Sequence, residues 1–248
     1  MNYKTKDSSN NIENIKNYLN YISGNKNIPS ICKYQAYFSV FDILGKLVFP
    51  NEKSYCEKYK KLINNYSSWE YRNYISSLQL ECVLKHISKE LRPLIKAKID
   101  NNPLNYNNFV SKIVSADEVD FTEEKLKEGL SSLQLELYEK NINTIHQAKY
   151  DNLFYRLRCF VVHELRLPTP NALDLDENSV VPMYFCYSKI LNEEKEIELG
   201  TPEYRLWFSP KVILLILEEC IEKIRGENNY DYNAIFEDIP KYWIGGKV

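Results

Sequence analysis

An arginine and a histidine five residues apart, Arg158 and His163, stand in a strongly helical and otherwise apolar stretch, Tyr155-Arg156-Leu157-Arg158-Cys159-Phe160-Val161-Val162-His163-Glu164. A guanidinium grips a phosphate with a two-pronged fork, and imidazole is the side chain that exchanges protons near neutral pH. Together the two types form a minimal kit for cleaving RNA, which carries its own nucleophile in the 2′-hydroxyl. The chain concentrates its candidates here. Three of its seven arginines (Arg156, Arg158, Arg166) fall within eleven positions, and His146 and His163 lie in one helical region.

On an ideal helix, Arg158 and His163 are about 140° apart around the axis and ~7.5 Å apart along it, so they share no stripe. The length of an arginine lets its head swing toward the imidazole where the helix edge lines a cleft. The spacing predicts Phe160 and Val161 toward the core, with Arg158, Cys159 and His163 on another side. A purely structural reading stands beside this one: Arg158 pairs with a carboxylate elsewhere, and His163 is a hydrogen-bonded core histidine. Five neighbours are secondary candidates for contact with RNA. Arg156, Arg166 and Lys149 add positive charge, Tyr155 (like Tyr150) offers a ring for an unpaired base, and Cys159 lies beside Arg158. His86 and His146 read as structural, and Glu164 as a surface or ion-pair residue.

No phosphate loop, dinucleotide fingerprint or serine-hydrolase elbow occurs. The six cysteines are scattered without a C-x-x-C pair, which fits neither a zinc site nor a disulfide framework and predicts small buried hydrophobes. No metal and no cofactor are expected. With a formal net charge of −2, any nucleic-acid site must be a local patch on a neutral body. An N-terminus without an apolar signal core and the lack of any ~20-residue apolar run predict a soluble, cytoplasmic protein with no membrane contact.

Helical periodicity predicts what positions the candidates. Expected helices cover residues 11–23, 30–48 and 51–65. A fourth begins at a capping box, Ser67-Ser68-Trp69-Glu70, and runs to Leu91, with Pro93 ending it. After a break at Asn101-Asn102-Pro103 come a short helix near 106–114, a long one from Thr122 to Asn143, and the helix carrying Arg158 and His163 from about 144 to 167. Two β-branched and aromatic runs, 180–187 and 204–208, predict a hairpin. Ser209-Pro210 then opens an apolar helix to Arg225, the expected core helix. The expected class is all-α with a small β-hairpin insertion after the Arg–His helix. An N-terminal helical region (1–120) would pack on a core (121–248), unless the two form one continuous domain.

The segment 153–164 resembles the signature helix of HEPN domains, helical bundles of which many carry R-x-x-x-x-H near the start of a late core helix. The resemblance is specific over about a dozen residues and rests more loosely on the helical plan around them. It implies a HEPN-like bundle and a metal-independent endoribonuclease of the toxin or antiphage-defence type. It further implies a homodimer whose two motifs meet across a two-fold axis, and an antitoxin or regulatory protein as partner. Arg158 and His163 are the catalytic residues it carries over. Cys159 departs from the pattern, because active members usually have a polar residue after the arginine, and cysteine is a weak hydrogen-bond donor. The alternative is therefore a non-catalytic HEPN-like module that binds a nucleotide, RNA or protein.

Overall fold

The computed structural model describes residues 6–101, 114–164, 178–187, 190–191, 198–199, 203–227 and 230. The chain is mainly helical with a small β insertion, as the periodicity predicts. It divides into two compact units. The first holds Met1–Trp69, Arg158–Arg166 and Ile213–Val248, and the second holds Glu70–Leu157 and Leu167–Val212. The Arg–His helix, Tyr150–His163, begins in the second unit and ends in the first.

In the first unit the expected helices form as Lys6–Gly24, Ser30–Val48 and Tyr55–Tyr66. The third starts four residues later than its pattern predicts, because Ser54 caps it by accepting from the Glu57 amide. Its Tyr59 ring packs against Phe38 and Phe41 of the second helix at 6.4 and 5.3 Å between centroids, within a wholly buried cluster that includes Tyr34, Leu44 and Leu62. The apolar helix runs Pro210–Gly226, capped by the Ser209 hydroxyl accepting from the Val212 amide. Its Ile213, Ile216, Leu217, Cys220, Ile221 and Ile224 are buried, as expected of a core helix.

The capping box expected at Ser67 does not form. The Ser67 hydroxyl bonds back to the Ile63 carbonyl at 2.7 Å, and the Ser68 amide and hydroxyl both donate to Glu219, so neither is free to start a helix. A 3-10 turn, Glu70–Asn73, and a two-residue strand follow instead. The helix Ser77–Val83 starts only at the Ser76 cap. Pro93, expected as a stop, sits in the first turn of the helix Arg92–Asp100, where its missing N–H costs nothing. The expected helix near 106–114 falls largely outside the described residues, and Val114–Ser115 is a strand.

The long helix expected from Thr122 is three pieces, Glu123–Lys127, Ser132–Lys140 and Ile142–Ile145. Thr122 caps the first as predicted. Gly129, at φ 75, takes a left-handed conformation that ends the run, and Ser131 with Gln134 forms a reciprocal capping box that starts the next. A 3-10 turn at His146–Ala148 delays the Arg–His helix to Tyr150, six residues later than predicted. The expected hairpin is present: Met183–Tyr187 pairs antiparallel with Glu203–Trp207, Met183 opposite Trp207, and Val114–Ser115 adds a third strand.

A buried carboxylate ties the second unit together. Asp120, 4% exposed, accepts from the Ser77 amide and hydroxyl at 2.8 Å each, from the Tyr184 hydroxyl at 2.9 Å and from the Tyr150 hydroxyl. One side chain thus joins the start of the Ser77 helix, the start of the Arg–His helix and the hairpin. Burial pushes its carboxyl up to about 6, although all four donors oppose the rise. A carboxyl that gains affinity for a proton on folding stabilises the fold fully below about pH 4, and that contribution is lost as pH rises through about 6. The span corresponds to on the order of 3 kcal/mol. Asp120→Asn is expected to flatten the dependence of unfolding free energy on pH between about 4 and 6, measured by denaturant titration at several pH values.

Candidate functional site

Arg158 and His163 meet. Arg158 Nη1 lies 2.7 Å from His163 Nε2, so the long guanidinium closes the angular gap that ideal helical spacing leaves. A guanidinium only donates, so Nε2 accepts, which places the ring proton on Nδ1. His163 is the last residue of its helix and is exposed. It is therefore not the core histidine of the structural reading.

Arg158 differs from the expectation. It is 7% exposed, whereas Phe160, expected in the core, is half-buried beside a fully buried Val161. The reason is a carboxylate that the motif does not contain. Asp42, on the Ser30–Val48 helix, accepts from Arg158 Nη2 at 2.7 Å and from the Tyr59 hydroxyl at 3.0 Å. Tyr59 also lies 3.0 Å from the Phe38 carbonyl. Burial disfavours the charged guanidinium, but the Asp42 hydrogen bond and negative charge outweigh it and raise the Arg158 pKa further. Burial, with Asp42's charge next, pushes the Tyr59 hydroxyl well above its ordinary value, so it remains a donor. The Tyr55 ring covers the guanidinium, with Arg158 Cζ 5.5 Å from its centroid. Arg158 Nε is buried and has no hydrogen-bond partner among the described residues.

The first unit therefore gathers Asp42, Tyr55, Tyr59, Arg158 and His163 from three helices. Cys159 adjoins this group, half-buried and with a free thiol. The other expected contacts are not brought to it within one compact unit. Lys149 and Tyr155, both half-buried, and exposed Arg156 belong to the second unit. Arg166 lies outside the described residues. His146 bonds to Glu123 at 3.1 Å, in keeping with a structural role, and His86 is exposed on a short 3-10 turn.

The cysteines are less uniform than expected. Cys220 is buried, Cys56 half-buried, and Cys32 and Cys82 exposed, while the Cys186 side chain lies outside the described residues. Among the described residues no group of three or more His, Cys, Asp or Glu side chains is placed to hold a metal ion, and no helix is long and apolar enough to cross a membrane.

Sequence reasoning missed Asp42, although a signal was present: it is the sole acid in the apolar segment 30–48, directly after Phe41. An isolated carboxylate in such a helix requires a partner. Tyr55 and Tyr59 carried no signal that set them apart from the other tyrosines.

No protein-family model, curated protein or solved structure matches the chain. The resemblance to HEPN domains thus rests on the chain's own residues.

Replacing Asp42 by Asn keeps the shape but removes the charge that compensates a largely buried guanidinium. The expected loss is about 2 kcal/mol of unfolding free energy, the size of a charge-assisted hydrogen bond lost from a mostly buried pair. Denaturant unfolding of Asp42→Asn against the parent protein measures it.

Proposed function

We propose that this chain is a HEPN-type endoribonuclease that cleaves RNA by attack of the 2′-hydroxyl on the adjacent phosphate. The observation that carries the reading is an exposed His163 whose Nε2 lies 2.7 Å from an Arg158 held in place by Asp42. A phosphate entering beside His163 would meet a guanidinium already oriented and desolvated, the preorganisation that charge stabilisation in a transition state requires. The fork would exchange its contact with Nε2 for the phosphate, releasing that nitrogen's lone pair to act as a base.

The proton balance is simple. One imidazole takes the proton from the 2′-hydroxyl as its oxygen bonds to phosphorus, and a second delivers a proton to the departing 5′-oxygen. The products are a 2′,3′-cyclic phosphate and a 5′-hydroxyl. Each protomer supplies one such histidine, so a homodimer with two motifs facing across a two-fold axis would supply both acid and base. Asp42 acts as a positioning residue: it fixes the guanidinium and compensates its burial, and it would not touch substrate. A role as a toxin or antiphage effector, restrained by an antitoxin or regulatory protein, belongs to the same reading.

A second reading has its own support. Arg158 is buried and paired with Asp42 at 2.7 Å, as a structural arginine would be, and the residue beside it is Cys159. On that reading the chain is a non-catalytic module binding a nucleotide, RNA or protein.

Incubation of a mixed RNA pool with the protein in EDTA separates the two. Cleavage leaving cyclic-phosphate ends is expected, reduced at least about 100-fold by His163→Ala and by Arg158→Ala, with dimerisation and folding retained in the histidine variant. Absence of cleavage by folded, dimeric wild-type protein would favour the binding module.

A further inference from the structure

A second cation shares the Tyr55 ring with Arg158. Lys58, one turn after Tyr55 on the Tyr55–Tyr66 helix, is 9% exposed and forms no ion pair among the described residues. Its stem lies on Gly45 of the neighbouring helix, where a methyl group in place of the glycine hydrogen would stand 3.4 Å from Lys58 Cβ. Its ammonium is carried to the Tyr55 ring, 5.5 Å from the centroid. Arg158 Cζ lies at 5.5 Å from that same ring. One tyrosine thus holds two cations, and it is 39% exposed, one of the few large apolar or aromatic side chains among the described residues that face solvent.

The charges around the ring are unequal. Asp42 neutralises Arg158, while no acid among the described residues is bonded to Lys58, so the cluster of Asp42, Lys58 and Arg158 is left with a net positive charge. A partly exposed ring with a surplus cation over it suits a nucleic-acid strand, with the base against the part of the ring left in solvent and the backbone on the cation. A ring can stack only a base whose face is free. A base inside an A-form helix has both faces covered, so the geometry selects unpaired RNA.

Resting on the nuclease reading above, we propose that Tyr55 and Lys58 form a nucleotide subsite next to Arg158 and His163, in which Tyr55 stacks an unpaired base and Lys58 holds an adjoining phosphate of single-stranded RNA. Tyr55 then sets the register of the strand, so that the phosphate next to the stacked nucleotide falls at Arg158.

The test uses the full chain carrying His163→Ala, so that RNA is bound and not consumed. Single-stranded oligonucleotides with 2-aminopurine at each position in turn are titrated, together with a duplex of the same sequence. One position is expected to be quenched on binding, with the duplex bound more weakly. Adding Tyr55→Leu is expected to abolish the quench and weaken binding about tenfold or more, whereas Tyr55→Phe keeps both. Lys58→Gln should lower the slope of log affinity against log salt by about 0.7, the loss of one phosphate contact on a single strand. Quenching and affinity unchanged by Tyr55→Leu, in a protein that still cleaves RNA with His163 restored, would overturn the subsite and leave the nuclease reading intact. No RNA binding by the folded His163→Ala protein, and no cleavage by wild type, would remove both.

Discussion

A carboxylate at position 42 and a guanidinium at position 158 share a hydrogen bond of 2.7 Å, and the candidate site depends on it. Removing a guanidinium from water is costly unless a partner of opposite charge and good geometry replaces the lost hydration. Asp42 does this from a separate helix, and its second oxygen is occupied by the Tyr59 hydroxyl, which anchors the acid in turn. The arginine therefore cannot swing freely along its helix. Its remaining Nη is turned to His163, and the histidine, at the end of the helix, stays in solvent.

The second unit solves a similar problem in another way. Asp120 is more deeply buried than Asp42, but hydroxyls and an amide face it where Asp42 has a cation. Donors without charge oppose the effect of desolvation but do not cancel it, so burial still pushes this carboxyl up to about 6. Burial also raises the pKa of the Tyr150 hydroxyl well above its ordinary value, with Asp120's charge next, which keeps the phenol a donor. Tyr150 opens the helix that ends at His163, so that one helix carries an anchor of neutral donors at its start and a charged pair near its end. Tyr150 is a structural residue here, not a stacking platform for RNA.

Charge accounting connects geometry to function. A body with a formal charge of −2 offers no general attraction for a polyanion, so binding of one, as proposed above, would require a local imbalance of charge. The pairing of Asp42 with Arg158 cancels the obvious candidate. Among the described residues, Lys58 forms no ion pair, and its ammonium lies over the exposed ring of Tyr55.

Much of the local architecture was written in the residues themselves. Thr122 and Ser209-Pro210 start helices where capping chemistry says they should, and the aromatic and β-branched runs near 180–187 and 204–208 pair as a hairpin. These are short-range effects, decided within a few residues. Where local signals compete, sequence fails: Ser67 and Ser68 resemble a cap but give their hydrogen bonds to Ile63 and Glu219, and Gly129 breaks an apparently continuous helix. The sequence by itself determined that Arg158 and His163 occupy one helix, five residues apart. Only the tertiary structure decided that Arg158 is buried, that Asp42, 116 residues away, holds it, and that Tyr55 adjoins it and carries Lys58 over the same ring. The physical reason is that a charge's partner is chosen by the packing of helices, and nothing in the spacing around the charge specifies which helix will arrive.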